Sequence, residues 1–232
     1  MSIKKDYEVS LILNIETATK NCSVSLSRDG NIIALEELND GNYSHAEKLN
    51  LFIAAVLKQA NKTFDDLCAV AISKGPGSYT GLRIGTSSAK GLCFALDIPL
   101  ISVSTLQSLA LQLNVENSFV IPMLDARRME VYSAVFDAEN KQIREVEAQI
   151  LNEDSFNAYL KEKITYFIGD GVVKTKELIT HKNTVFVENK LPSAKEMAQL
   201  SHVKFQNKNF EDVAYFEPFY LKDFVVTTKK KG

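Results

Sequence analysis

Residues 68–81 read CAVAISKGPGSYTG, and this stretch decides the fold class. Its first five residues are continuously apolar, which is typical of a strand buried on both faces. The Gly75-Pro76-Gly77 sequence ends that strand. A helix is predicted over about 81–96, so the stretch forms one strand–turn–helix unit of an α/β protein.

The first half of the chain extends this pattern on both sides. It predicts strands at 9–15, 22–27 and 32–35, a helix at 44–60, the unit above, a strand at 100–103 and a helix after Ser104. Asp29-Gly30 predicts a hairpin turn, and Ser104 with Gln107 predicts a capping box. Serines at every second position of 22–27 predict a half-exposed second strand.

The second half repeats the same order of elements. It predicts strands at 119–124, 129–136 and 143–150, a helix at 154–160, a strand at 164–168, a helix from Gly169 to about 179, a strand at 184–187 and a last helix. Ser193 and Glu196 predict a capping box at the start of that last helix. Two successive β-β-β-α-β-α units predict a duplicated α/β fold, with lobes at 1–114 and 115–232 and a crevice between them.

Composition limits the possible functions. The formal net charge of −2 gives no overall basic field for nucleic acid or membrane, and 45% hydrophobic residues indicate a globular chain. Three scattered cysteines suit a reducing compartment. Residues 1–8 lack the apolar run of a signal peptide, and no segment is long and apolar enough to span a bilayer. We therefore expect a cytoplasmic location and no membrane contact.

The two long helices of the first half have little polar surface. A helix of this kind is usually covered on both sides. Either other elements of the same chain cover it, or both helices offer a face to another subunit, which is the interpretation we prefer. The candidate interface residues are His45, Leu51, Ala54, Ala55, Arg83, Thr86, Ser87, Lys90 and Phe94.

The glycine-rich turn is also a candidate anion site. Glycines before a helix start let backbone amides approach a phosphate, so Gly75, Gly77 and Ser78 are weak nucleotide or phosphate candidates. Gly169 and Gly171 form a second, similar turn. Neither turn has the Lys-Ser/Thr pair of a P-loop.

Other catalytic constellations are poorly supported. The three histidines, His45, His181 and His202, have no metal-ligand spacing. Ser78 lacks the Gly-x-Ser-x-Gly context of a nucleophile, and Cys93 lies in an apolar helix.

Two groups of charged residues remain. Asp125, Arg127, Arg128 and Glu130 either bind an anion or pair with one another, and pairing is the preferred interpretation. Lys229 to Lys231 either contact RNA phosphates or form a solvated tail.

The segments together resemble the TsaB (YeaZ) family of the bacterial tRNA threonylcarbamoyladenosine machinery. The matching runs are LNIETAT at 13–19, SHAEKL at 44–49, GPGSYTGLRIG at 75–85, LDARRMEVY at 124–132, GDG at 169–171 and PFYL at 218–221. The resemblance implies an actin-like ATPase (ASKHA, ribonuclease H-like) fold. It also implies pairing with a TsaD-like catalytic subunit through helices of the first half.

The resemblance further implies a role in a complex with a TsaE-like ATPase. That complex transfers a threonylcarbamoyl group to the adenosine beside the anticodon of tRNAs reading A-starting codons, so tRNA is its substrate. Self-pairing as a homodimer through the same helices is expected when no partner is present.

The chain departs from the catalytic relative at two places. Residues 104–109 hold no histidine where the relative has His-x-x-x-His, and Arg127 and Arg128 stand where it has paired glycines. We therefore expect no cofactor bound by this chain alone, and ATP and a metal ion in partner subunits. The alternatives are a free-standing actin-like ATPase or kinase, and a peptidase.

Overall fold

The computed structural model describes residues 9–39, 41 and 44–221. Ten strands are β1 (Leu11–Glu16), β2 (Cys22–Arg28), β3 (Asn31–Leu38), β4 (Ala69–Ser73), β5 (Leu100–Val103), β6 (Phe119–Asp125), β7 (Glu130–Phe136), β8 (Gln142–Ile150), β9 (Thr165–Ile168) and β10 (Thr184–Val187). The helices are α1 (His45–Gln59), α2 (Tyr79–Leu96), α3 (Thr105–Ala110), α4 (Asn157–Glu162), α5 (Val172–Lys176) and α6 (Ala194–Gln206). Every strand and helix predicted from the sequence is present.

The strands form two sheets with the same internal order. The first sheet runs β3-β2-β1-β4-β5 and the second β8-β7-β6-β9-β10. In each sheet, two antiparallel pairs precede two parallel pairs. The predicted duplicated α/β fold is therefore confirmed.

The second strand corrects one prediction. β2 is buried on both faces, because α6 covers its serine side. Ser25 Oγ donates to the Ala194 carbonyl at 2.8 Å, and the Ala194 amide donates to Ser23 Oγ at 3.1 Å. The serine alternation was read as contact with water, but these hydroxyls bond to a helix from the other half of the chain.

The lobes are joined by an exchange of helices. α6, from the second half, packs on the first sheet. α3, from the first half, packs on β6 and β7 of the second sheet, where Leu106 and Leu109 are fully buried. A boundary at residue 114, as predicted, thus assigns α6 to the second lobe although it packs on the sheet of the first.

The segment after α6 returns along the first lobe. The Glu211 amide donates to the Leu100 carbonyl at 2.9 Å, beside the edge strand β5. The Phe219 amide donates to the Lys74 carbonyl at 2.7 Å. The predicted run at Lys229 to Lys231 lies outside the described residues.

The two predicted capping boxes are borne out only in part, because each serine caps its helix but neither Gln107 nor Glu196 returns a side-chain hydrogen bond among the residues that the structure describes. Ser104 Oγ accepts from the Gln107 amide at 3.4 Å, as predicted. Ser193 Oγ accepts from the Lys195 amide at 3.2 Å rather than from Glu196. None of the helices in the described part of the chain has the length and apolar character of a membrane span.

Candidate functional site

An exposed, largely apolar face lies on α1 and α2. Phe94 is 85% exposed and Leu51 62% exposed, although both are large apolar side chains. Ala54, Arg83 and Ser87 are also exposed, and Ala55 is half-buried. We call the exposed residues Leu51, Ala54, Ser87 and Phe94 the helical face.

The helical face is held in place from its buried side. α1 buries a stripe of Leu49, Ile53, Val56 and Leu57 against the first sheet, as helical spacing predicts. α2 lies close to the loop after β1, and Thr17 Oγ1 donates to the Gly81 carbonyl at 2.8 Å. A Cβ added at Gly81 would lie 2.1 Å from the Thr17 carbonyl oxygen. The small residues at this end of α2 therefore serve contact within the chain.

Two of the predicted interface residues are buried inside the first lobe. His45 is 1% exposed, and its Nε2 donates to the Thr19 carbonyl at 2.7 Å. Burial lowers the pKa of His45. Thr86 is 5% exposed on the inner side of α2. Helical spacing places both on the buried stripe of their helix, His45 four residues before Leu49 and Thr86 between Leu82 and Ala89, so periodicity was a signal against them.

The C-terminal segment covers one side of α2. Lys90 Nζ donates to the carbonyls of Ala214 at 3.1 Å and Phe216 at 3.0 Å. Arg83 stacks on the Tyr79 ring at 4.1 Å, and its Nε donates to Tyr220 Oη at 3.4 Å. Residues 214–220 thus cover the Lys90 side of α2, whereas no described residue covers Phe94 on its other side.

Sequence reasoning missed a groove beside the helical face. It has a volume of about 480 Å³ and is lined by Ala54, Leu57, Lys58, Asn61, Lys62, Thr63 and Phe64. Phe64 is 41% exposed and begins a short 3-10 helix, Phe64–Asp66. A helix of three residues is too short to give a recognisable sequence pattern. The groove extends the apolar surface past the end of α1.

The turn at 75–78 is filled by the protein's own backbone. The Ser78 amide donates to the Ala18 carbonyl at 2.6 Å, and a Cβ at Gly77 would lie 2.4 Å from that oxygen. Ser78 Oγ accepts from the Gly81 amide at 3.3 Å and so caps α2. At Gly75, a Cβ would lie 3.0 Å from the Phe219 carbonyl oxygen. These glycines allow backbone to approach backbone.

The second glycine turn is used in the same way. Gly169 has a φ of +120°, and a Cβ there would lie 2.2 Å from the Met123 carbonyl oxygen. The Gly171 amide donates to that same oxygen at 3.2 Å. The first phosphate candidate is therefore filled by the loop after β1, and the second by β6.

The position of the relative's histidine motif is an internal packing element here. α3 places Leu106 and Leu109 in the core between the lobes. Thr105 Oγ1 accepts from the Gly75 amide at 3.0 Å and bonds to Ser73 Oγ at 2.5 Å. Over the described ranges, no group of three His, Cys, Asp or Glu residues is placed to hold a metal ion.

Glu16 is a buried acid that sequence reasoning did not single out. It is fully buried at the end of β1, where Oε1 accepts from the Ala18 amide at 2.6 Å. Burial raises its pKa to about 7, although a hydrogen bond from Ser73 acts in the opposite direction. Oε2 has no hydrogen-bond partner. Its place at the end of an otherwise apolar strand was the available signal.

The hairpin between β6 and β7 does not contain the predicted ion pairs. Asp125 Oδ1 accepts from Lys174 Nζ at 2.6 Å, not from Arg127 or Arg128. Both arginines are exposed, and neither guanidinium has a partner among the residues that the structure describes. The prediction that this charged cluster pairs internally is wrong for the arginines.

The candidate nucleophiles are placed unfavourably. Burial raises the pKa of Cys93 to about 12 and that of Cys22 to about 11, which disfavours the reactive thiolate. Ser78 serves as a helix cap. Its hydroxyl hydrogen-bonds to no histidine or carboxylate in the described chain.

Comparison with known proteins gives consistent results. The family model described as "TsaD: tRNA N6-adenosine threonylcarbamoyltransferase" matches residues 40–230. The tRNA threonylcarbamoyladenosine biosynthesis protein TsaB of Escherichia coli is 31% identical over 95% of this chain and 98% of its own length. The TsaB of Haemophilus influenzae is 28% identical over 95% of this chain and 97% of its own.

Solved structures show the same fold. A structure described as YeaZ from Pseudomonas aeruginosa has a TM-score of 0.76 and 24% identity, covering 91% of this chain and all of that one. A second Pseudomonas aeruginosa structure, described as uncharacterized with similarity to peptidase YEAZ, has a TM-score of 0.77 over 92% of this chain and all of that one. The TsaD family model also matches most of the chain. The sequence identity over nearly the full length and the shared fold lead to one conclusion: the chain belongs to the TsaB (YeaZ) family of tRNA threonylcarbamoyladenosine biosynthesis proteins.

Proposed function

We propose that this chain is a non-catalytic subunit that pairs with a TsaD-like catalytic subunit through the helical face. In a complex with a TsaE-like ATPase, it supports transfer of a threonylcarbamoyl group to the adenosine beside the anticodon in tRNAs reading A-starting codons. ATP and the metal ion bind in the partner subunits. The observation that carries the proposal is the exposure of Phe94 and Leu51 on neighbouring helices.

The burial of such side chains stabilises association. Large apolar groups exposed beside a polar rim are typical of protein–protein interfaces. The rim is present here as Arg83 and Lys58, and the groove beside Ala54 can receive an apolar side chain of the partner. A second copy of this chain offers the same groups, so the homodimer is the expected form when the partner is missing.

A supporting role also agrees with the two glycine turns. A nucleotide phosphate needs free backbone amides, and the Ser78 and Gly171 amides both donate to carbonyl oxygens of the chain. This arrangement argues against the free-standing ATPase or kinase. The peptidase alternative has no base within hydrogen-bond reach of Ser78 in the described structure.

The test is association after a charge is placed on the helical face. We expect Phe94→Glu and Leu51→Glu to weaken binding to the TsaD-like subunit by roughly tenfold or more, because a carboxylate must be desolvated in the interface. Isothermal calorimetry measures the affinity, and thermal melting checks the fold.

Ile150→Glu is the matched control. Ile150 is 72% exposed at the end of β8 in the second lobe. The substitution therefore replaces an exposed apolar side chain by a carboxylate, as in the two test variants, but away from the helical face. It should leave the affinity unchanged. Unchanged binding of both helical-face variants, or ATP turnover by the isolated wild-type chain, would overturn the proposal.

A further inference from the structure

The hairpin between β6 and β7 has an unusual backbone. Arg127 and Arg128 are consecutive residues in the left-handed region, with φ of 70° and 49°. This region is unfavourable for a residue with a side chain, and Gly, Asn and Asp tolerate it best. Of the ten such non-glycine residues described, six are Asn or Asp. Two arginines in a row therefore need a reason.

The hairpin turn accounts for the positive φ values, but not for the choice of arginine, since such turns favour Gly, Asn and Asp. Phe156 also has a positive φ, but it is 5% exposed and packs against Phe167 in the core. The side chains of Arg127 and Arg128 are exposed and bond to nothing in the described structure. Their guanidinium groups are therefore available to a ligand outside the described chain.

Hydrogen bonds from α5 and from the residue after β8 hold the hairpin backbone in place. Lys174 Nζ donates to the carbonyls of Arg128 at 2.6 Å and Glu130 at 2.9 Å, and to Asp125 Oδ1 at 2.6 Å. The Leu151 amide donates to the Met129 carbonyl at 2.7 Å. A fixed backbone lowers the entropy that two guanidinium groups lose on binding.

The nearby acids are already engaged. Asp125 Oδ1 also accepts from the Arg127 amide at 2.7 Å, and Asp170 Oδ1 accepts from the Asp125 amide at 2.8 Å. The guanidiniums are thus the free charges at the tip. Guanidinium groups bind phosphate oxygens with paired N–H donors.

The same hydrogen bonds distinguish between two kinds of phosphate. The amides of Ala126, Arg127 and Glu130 donate to oxygens of the hairpin, and the Asp125 amide donates to Asp170 Oδ1. A nucleotide phosphate bound in a cradle needs such amides, whereas phosphates on the outside of a polymer are reached by side chains alone.

We propose that Arg127 and Arg128 form a docking point for the phosphodiester backbone of the RNA substrate. This inference rests on the proposed function, which makes tRNA the substrate of the complex. It assigns this chain a direct contact with that tRNA, through charge and without base recognition.

The experiment compares two double variants of the full chain, alone and with the TsaD-like and TsaE-like subunits, using labelled tRNA transcript. R127N/R128N keeps residues that tolerate positive φ, so its melting temperature should not fall. K161Q/K182Q removes the same charge from exposed positions elsewhere in the second lobe. Binding is measured over a range of salt concentrations.

We expect R127N/R128N to bind tRNA roughly tenfold to a hundredfold more weakly. The slope of log affinity against log salt should fall by about 2, one for each lost phosphate contact. In the complex, KM for tRNA should rise while kcat at saturating tRNA is retained. K161Q/K182Q should match the wild type.

Wild-type affinity and slope in R127N/R128N would overturn the inference. Loss of ATP binding with tRNA binding retained would also overturn it, since the ligand would then be a nucleotide. Both outcomes differ from failure of the proposed function, which appears as a wild-type chain that does not associate with the TsaD-like subunit. The isolated chain still tests the arginines in that case.

Discussion

The two lobes share a strand order but differ in what covers their outer faces. The first sheet is covered by α1 and α2, of 15 and 18 residues. The second is covered by α4 and α5, of 6 and 5 residues. A long helix buries one stripe of side chains against the sheet and exposes its opposite side to solvent or a partner. A short helix covers less of the sheet, so large side chains fill the remaining volume beside the strands. The first lobe accordingly offers an apolar face, and the second an aromatic core.

The aromatic core of the second lobe is a chain of ring contacts. Phe167 lies 5.5 Å from Phe156 and 5.5 Å from Phe186, measured between ring centroids. Phe119 and Tyr159 meet at the same distance, 5.5 Å. These rings replace the volume that helices occupy in the first lobe. Arg127 and Arg128 project from the β6–β7 hairpin of this lobe.

Removing the central ring should give the largest effect. Phe167 is fully buried, so Phe167→Ala should lower the free energy of unfolding by about 3–5 kcal/mol. Because α3 and α6 cross between the lobes, we expect one unfolding transition, with both sheets losing amide protection together in hydrogen exchange. Protection retained in β1 and β4 while β6 and β9 exchange would show that the lobes are independent. Ile143→Ala, at a 43% exposed position of β8, is the mild control.

Glu16 marks a second difference between the lobes, because no other acid is among the fully buried residues described. Its folded pKa of about 7 lies above its usual 4.5, so the folded state favours the protonated acid. The stability from this preference is complete below about pH 4.5 and is lost as pH rises through 7. The change corresponds to about 3 kcal/mol.

Glu16→Gln should remove this dependence. Denaturant titrations at pH 4.5 and pH 8 should show the variant more stable than the wild type at pH 8, and the gain should shrink at the lower pH. Glu153→Gln changes an exposed acid of the second lobe and should leave the pH profile unchanged. A wild-type profile in Glu16→Gln would show that the buried carboxyl keeps its charge at neutral pH.

The sequence predicted the order and kind of every strand and α-helix, because apolar periodicity and turn residues are local signals. It failed where a distant segment decides the environment. Ser23 and Ser25 looked solvent-exposed, since their cover, α6, lies some 170 positions along the chain. His45 and Thr86 are a different case, because both continue the buried stripe of their own helix and helical spacing alone indicates their burial. Leu51 and Phe94 were predictable, because an apolar residue opposite the buried stripe of a helix has no other element to meet.

The glycine turns were the hardest part to interpret from sequence. A glycine that admits a phosphate and one that admits a carbonyl oxygen have the same letters around them, and only the position of Thr17, Ala18 and Met123 separates the two. In both lobes the glycines admit a carbonyl oxygen of the chain. This shared feature can be tested within one helix.

Gly81 and Gly91 of α2 should respond in opposite directions to alanine. A Cβ at Gly81 meets the Thr17 carbonyl at 2.1 Å, so Gly81→Ala should destabilise by about 1–3 kcal/mol. A Cβ at Gly91 meets nothing within 4 Å, so Gly91→Ala should stabilise by about 0.5–1 kcal/mol through helix propensity. Urea denaturation measures both. If Gly81→Ala were neutral in stability and instead abolished ATP binding, the turn would be an anion site, and the likeness between the two lobes would have to be read as a shared nucleotide site.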